Sequence, residues 1–264
     1  MNLLRPSEYH RVTPLFDAYE YLRPVIYAVL EGTQPGQVLV DDVVWPASAV
    51  LWGADLFVAG EAGNEAFNAA LLDRVANDAV PNRAHVLLYA PRGAWHGALQ
   101  ELLAPLEALH LVRSLFRFDA DAYRERSRPL RKPLPEGFRL ARLDASTAGE
   151  AGGMPDLWGS VEQFLAHGWG YCVLDGDEFA SSCQTVFVGD NSAEIGVGTR
   201  EPYRRRGLAR AAAIATLDEC LARGFLPEWG CVYNPASGAL GQSLGFCPLP
   251  DAPFYYVKGA SWEA

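Results

Sequence analysis

Residues 193–224, AEIGVGTREPYRRRGLARAAAIATLDECLARG, admit few folds. AEIGVGT (193–199) reads as a strand, and Ile214, Leu217 and Leu221 then recur at helical spacing between Gly207 and Arg223, with Gly224 placed to end the helix. The turn joining them carries Arg204, Arg205 and Arg206 directly before Gly207. Loop amides and a helix N-terminus can converge there on an anion, and a glycine lets a phosphate approach the backbone. Several amides and guanidinium groups acting together suit a pyrophosphate ester better than a carboxylate.

The surrounding pattern is a mixed α/β one. FRLARLD (138–144) reads as a strand and residues 155–167 as a helix with Leu157, Val161, Phe164 and Leu165 on one face. GYCVL (170–174) and SSCQTVFV (181–188) read as strands turning at 175–177 and 189–191. After the long helix come a strand at 228–233, a short helix near 235–243 and a last strand near 254–258. The first half shows similar grammar: strands at 36–42, 48–53 and 55–59, a helix at 64–79, a strand at 84–90 and a helix at 93–106. An offset of 144 residues pairs Gly63 with Gly207 and Leu88–Pro91 with Val232–Pro235, which raises a duplicated fold. Between the halves, RERSRPLRKPLPEG (124–137) holds three prolines and five basic residues and reads as an extended connector. The expected domains are 1–124, a linker 125–137, and 138–264.

A formal net charge of −10 argues against a nucleic-acid or anionic-membrane surface, since both rely on spread positive charge, and favours a cationic small molecule. No run approaches the roughly 20 apolar residues that span a bilayer, and the N-terminus lacks a signal-peptide pattern, so a cytoplasmic protein is expected. The five cysteines form no CxxC pair and the five histidines are scattered, so no metal site is expected and the cysteines read as buried small apolar residues. Trp158, Trp169 and Trp229 could line a pocket, but core packing is the better account of each.

Arg204-x-x-Gly207-x-Ala209 resembles the coenzyme-A-binding signature [QR]-x-x-G-x-[GA] of the GNAT superfamily of acetyltransferases. Asn234-x-x-Ser237 with Leu244-Gly245-Phe246 resembles the superfamily's next motif, and the resemblance covers roughly residues 138–258. It implies an α/β fold of the α+β type, a central mixed and mostly antiparallel sheet flanked by helices, preceded by a degenerate GNAT-like domain. It implies acetyl-CoA as co-substrate, with the amides of Arg204, Arg205, Arg206, Gly207, Leu208 and Ala209 at its pyrophosphate. The backbone of Val197, Gly198 and Thr199 would pair with the pantetheine arm, as would Asn234 and Ser237; Ser237 is equally well read as a helix-start residue.

By the same resemblance Glu194 is the general base, working through water, and the Val197 amide donates to the acyl oxygen. Glu194, Gly196 and Gly198 share one strand face, where two glycines would leave room for a substrate; the alternative is an exposed glutamate on a sheet edge. One position departs from the pattern: Gly241 stands where many relatives place a tyrosine as general acid, and Tyr233 and Cys231 are better explained by strand packing. The expected activity is acetyl transfer to a small cationic amine by direct attack. The alternatives are a non-catalytic acyl-CoA-binding module and, less in keeping with the acidity, a nucleic-acid binder using the arginines. In the first half, Gly60-Glu61-Ala62-Gly63-Asn64-Glu65 puts carboxylates where the second half has guanidinium groups, and Ala90 replaces the asparagine. That half is expected to bind no CoA and to shape the acceptor cleft or a homodimer surface.

Overall fold

The computed structural model describes residues 1–152 and 157–261. It divides into two compact units, one of Met1–Gly32, Gly36–Arg113 and the chain from Ala252, the other of Thr33–Pro35 and Ser114–Asp251. The boundary therefore falls within a strand and not at 125–137, for reasons of burial given below.

The first unit contains β1 (Asn2–Leu4), α1 (Thr13–Phe16), α2 (Arg23–Leu30), β2 (Gln37–Val40), β3 (Ser48–Trp52), β4 (Leu56–Gly60), α3 (Glu65–Arg74), α4 (Val80–Asn82), β5 (His85–Tyr89) and α5 (Ala94–Leu103). β6 (Leu109–Phe118) gives this unit its residues through Arg113, and β13 (Ala252–Lys258) returns to it. Its sheet runs β1-β2-β3-β4-β5-β13-β6, with β4 and β5 parallel and the other neighbours antiparallel. β13 was expected at the end of a C-terminal domain. It lies here because its alternation buries Tyr255 and Val257 with Val86, Leu88, Leu99 and Leu103.

The second unit begins with Ser114–Phe118 of β6 and continues with α6 (Ala120–Ser127), β7 (Phe138–Arg142), α7 (Val161–His167), β8 (Gly170–Asp175), β9 (Glu178–Gly189), β10 (Ser192–Thr199), α8 (Leu208–Ala222), β11 (Leu226–Cys231), α9 (Pro235–Ser243) and β12 (Phe246–Pro248). Its sheet runs β6-β11-β10-β9-β8-β7, with β12 also on β6; β10 and β11 are parallel and the rest antiparallel. This mixed, mostly antiparallel sheet with flanking helices is the α/β class expected. Phe116 and Phe118 bury with Leu208, Ala212, Leu217 and Trp229 against α8, which is why the end of β6 belongs to this unit.

Two local departures matter for the site. The helix expected over 155–167 breaks at Gly159, in the left-handed region, and restarts behind Ser160, whose hydroxyl caps Gln163 N at 3.1 Å; residues 155 and 156 lie outside the described residues. β9 carries a bulge: Glu194 pairs with Phe187 and Ile195 with Thr185, leaving Val186 as the extra residue. The Gln34 carboxamide covers it, Nε2 donating to Val186 O at 2.8 Å and Oε1 accepting from Val188 N at 3.3 Å.

Candidate active site

β10 and β11 pair only at Ser192–Glu194 with Leu226–Glu228. Beyond Glu194 they part: β10 continues beside β9 to Thr199, while β11 continues beside β6 to Cys231. Which backbone groups of β10 face the resulting opening follows from its pairing with β9. Arg200 N donates to Ala180 O at 2.9 Å, and Gly198 O accepts from the Ser181 hydroxyl at 2.8 Å, so the even positions address β9. Antiparallel alternation then turns the amides and carbonyls of Ile195, Val197 and Thr199 toward β11, where the strands have separated. Val197 and Thr199 thus present a strand edge, and Gly198 is exposed on it.

Glu194 closes the inner end of this opening. It is 4% exposed, so the edge-glutamate alternative is replaced by a buried carboxylate on the last paired position. The expectation of space over both glycines needs correction. A Cβ at Gly198 would meet nothing within 4 Å, but one at Gly196 would lie 2.5 Å from Val186 Cγ1, because the β9 bulge swings Val186 over it. The parallel register sets Glu228 opposite Glu194, a pairing that no pattern in the sequence announces.

The basic turn follows. Arg205 and Gly207 both take left-handed angles, with φ of 66° and 79°, and Gly207 stands at the N-cap of α8, where no side chain among the described residues caps the helix. A Cβ at Gly207 would meet nothing within 4 Å, so the approach to the first-turn amides of Leu208 and Ala209 is clear. Arg204 Nε lies 3.5 Å from Thr199 O, and the Arg206 guanidinium sits over the rings of Phe138 and Tyr203 at 5.9 and 5.7 Å. Arg204, Arg205 and Arg206 are all exposed. Uncapped helix amides, an open glycine and adjacent guanidinium groups fit a polyanion such as a pyrophosphate.

At the far end of the opening, Asn234 caps α9: its Oδ1 accepts from Ser237 N at 3.0 Å. That spends its carbonyl oxygen and leaves the amide nitrogen exposed. Ser237 is not the cap; its hydroxyl accepts the Trp229 indole N–H at 3.1 Å. Gly241 packs on that same indole, a Cβ there falling 3.3 Å from the ring, so position 241 is a packing site with no room for a tyrosine. Trp158, Trp169 and Trp229 are all core residues. Tyr233 is not part of the strand: it is 75% exposed in a left-handed conformation beside Asn234. Among the cysteines, burial pushes the Cys183 and Cys220 thiols up to about 12, which makes them inert packing groups at neutral pH.

The parallel pair of the first unit is built differently. β4 and β5 pair at Leu56 with Leu88 and Phe57 with Tyr89, and beyond that point the Tyr19 hydroxyl lies 2.7 Å from Val58 O and 3.0 Å from Tyr89 O. The buried Trp95 indole donates to Gly60 O at 2.8 Å. The N-terminus of α3 is capped by Asn64, whose Oδ1 accepts from Phe67 N at 3.1 Å and whose amide donates to Asp41 Oδ2 at 3.0 Å.

Comparison with known proteins extends the match over both units. The family model for GNAT acetyltransferase matches residues 14–251. The uncharacterised N-acetyltransferase YdfB of Bacillus subtilis is 30% identical, over 96% of this chain and 97% of its own. Among solved structures, a GCN5-related N-acetyltransferase-like protein from Streptococcus suis superposes with a TM-score of 0.71 at 27% identity, covering 94% of this chain and 98% of that one. A tandem GNAT protein from the clavulanic acid biosynthesis pathway shares the fold, with a TM-score of 0.61 at 14% identity over 97% of each chain. No helix among the described residues is long and apolar enough to cross a membrane. With a parted strand pair, an uncapped basic turn and a family match spanning both units, this chain belongs to the GNAT family of N-acetyltransferases.

Proposed function

We propose that this enzyme moves an acetyl group from acetyl-CoA to the amine of a small cationic acceptor by direct attack. The observation that carries the reading is the parting of β10 and β11 immediately after Glu194, with the outward backbone of Val197 and Thr199 on one side and the open N-terminus of α8 beyond. Acetyl-CoA supplies the activated acyl group and a thiol leaving group.

The chain's own residues supply the rest. Amides from Gly207 to Ala209, with Arg204 and Arg205, take the phosphates; Arg206, resting over two rings, adds its charge from a fixed place. Val197 and Thr199 pair with the amide-bearing arm as a neighbouring strand would, and the exposed Asn234 amide nitrogen reaches the same arm. The Val197 N–H, turned into the opening, is the donor to the acyl oxygen. Glu194, buried at the last paired position of β10, takes the proton of the attacking amine, directly or through one water. No dedicated acid is needed at position 241, because a free thiol with a pKa of about 8.5 leaves tolerably as thiolate.

Thiol release measured with acetyl-CoA against a panel of amines tests this. Glu194→Gln is expected to lower kcat by about 10²–10⁴-fold, the usual worth of a general base, with the calorimetric Kd for acetyl-CoA unchanged. Folded protein that takes up acetyl-CoA without saturation would end the proposal.

A further inference from the structure

In the first unit, β5, β13 and β6 set three side chains in one row. Tyr255 is the register partner of Leu88 on β5 and of His110 on β6, so the three share a face of the sheet. Leu88 and Tyr255 are buried there with Leu99 and Leu103 of α5, whereas His110, at the end of the row, is exposed. His96, in the first turn of α5, meets this end. The two imidazole centroids lie 4.9 Å apart, and those of His110 and His96 lie 5.2 and 6.0 Å from the Tyr255 ring. The Tyr255 hydroxyl donates to His96 O at 3.0 Å, which ties the start of α5 to β13.

Two cavities, of about 410 and 290 Å³, meet at these three rings, and both are lined wholly by the first unit. The larger falls within the range of about 300–1,000 Å³ that small-molecule sites occupy. Its walls are apolar, with Leu88, Pro91 and Pro253 beside Tyr255, and Ala90 and Gly93 are too small to fill it. Arg92 lines it as well, exposed and without a hydrogen bond or ion pair from its side chain among the described residues. The imidazoles of His96 and His110 likewise have no hydrogen-bond partner among the described residues other than solvent, and their printed contacts are those between rings. The chain has 32 acidic residues against 22 basic ones, yet no carboxylate among the described residues lines either cavity. The polarity of this place is therefore opposite to that of the molecule as a whole.

We propose that the larger cavity is a further ligand site that takes a small aromatic carboxylate. It is built from none of the residues of the opening beside β10, so the inference stands apart from the acetyl-transfer reading. The ligand's ring packs on Leu88, the prolines and Tyr255, where apolar area and ring contacts both favour it. Its carboxylate turns to Arg92, whose planar fork can hold both oxygens at once. An imidazole keeps an N–H donor in either protonation state, so His96 and His110 can add to that hold. A cationic ligand of the same shape would meet the Arg92 guanidinium with no carboxylate to answer it, and a neutral amide would forfeit the charge, so both are selected against.

The probe is 2-naphthoate, titrated into the full-length protein while the histidine ring protons are followed by NMR. The His96 and His110 signals, assigned by their loss in His96→Gln and His110→Gln, are expected to shift saturably. The matched amide, 2-naphthamide, and the matched cation, 2-naphthylmethylammonium, are each expected to bind about tenfold or more weakly than the carboxylate. Arg92→Gln is expected to weaken 2-naphthoate by about tenfold or more and to leave 2-naphthamide as it was, which shows the cavity intact. Saturating acetyl-CoA is expected to leave the naphthoate shifts in place. Signals of His96 and His110 that 2-naphthoate leaves unmoved, equal affinity for the ammonium probe, full naphthoate affinity in Arg92→Gln, or displacement by acetyl-CoA would each overturn the inference. Protein that takes up 2-naphthoate in this way but no acetyl-CoA keeps the inference and loses the acetyl-transfer reading.

Discussion

Gly196 and Gly198 look alike in the sequence: both lie on the face of one strand that carries Glu194, two and four residues from it. What separates them is the extra residue in β9, which no pattern in β10 announces, because a bulge is a property of a pair of strands. Val186 is stiff at χ1 and its Cγ1 sits 2.5 Å from the Cβ that Gly196 lacks. Gly196→Ala should therefore cost about 1–3 kcal/mol, as overpacking in a filled interior does. Gly198→Ala meets open space and should be nearly silent in a urea titration. Gly207→Ala has open space too, yet its φ of 79° should cost about 1–2 kcal/mol. An equal loss at 196 and 198 would show that Val186 does not close the face. Glu194 stands out as a candidate in the sequence because it sits beside glycines on a strand leading into a basic turn; its burial does not. That Glu228 stands opposite Glu194 is invisible in the sequence, because it depends on a parallel strand distant along the chain.

Among elements, the segment that the sequence marks as an extended connector after β6 is fastened to α8. α6 buries Tyr123, whose hydroxyl donates to Asp218 Oδ1 on α8 at 2.8 Å, and Arg131 grips the same carboxylate through bonds of 2.7 and 2.8 Å. Prolines and basic residues did mark the irregular stretch, but the partner that holds it is 87 residues from Arg131 and carries no local signal. Burial pushes the Asp218 carboxyl up, and the hydrogen bonds from Arg131 and Tyr123 with the Arg131 charge more than offset it, leaving it below the usual carboxylate value. A depressed carboxyl contributes stability that is complete above its unfolded pKa of about 3.9 and is lost as pH falls through the lower folded value. Wild type should therefore melt above Asp218→Asn at pH 6, by an amount kept small by solvent screening of the half-exposed pair, and the gap should close as pH falls below about 4. Thermal melts across that range check it. A gap that is the same at every pH would mean that the lost shape of the carboxylate, and not its charge, sets the difference.

At the scale of the whole molecule, both units repeat antiparallel strands followed by a parallel pair joined through a helix, β4-α3-β5 in one and β10-α8-β11 in the other. Periodicity made this order visible. The assignment of strands to units was not visible, since β6 and β13 look like ordinary closing strands and only burial decides that Tyr255 belongs with Leu88 and Phe116 with Trp229. Separately expressed halves cut at 124 or 138 would each lack a strand of their own sheet, so the intact chain is the right object for asking how many cofactor sites it holds. The physical contrast between the parallel pairs points to one. In the second unit the pair parts beside a helix start that nothing caps, with arginines next to it. In the first, Asn64 caps the helix start and takes the Phe67 amide an anion would use, Glu65 in the first turn would repel the anion, and the Tyr19 hydroxyl and Trp95 indole engage the carbonyls of Val58, Tyr89 and Gly60 where the parallel pair ends. Calorimetry of the full chain with acetyl-CoA is expected to give about one equivalent per chain, because linked sites of equal chemistry would otherwise titrate together. Arg204→Ala with Arg205→Ala should weaken that one event and reveal no second, while Tyr19→Phe with Trp95→Leu should leave the stoichiometry at one. Two equivalents in the wild type, or binding that survives the loss of both arginines at full strength, would place the cofactor in the first unit after all.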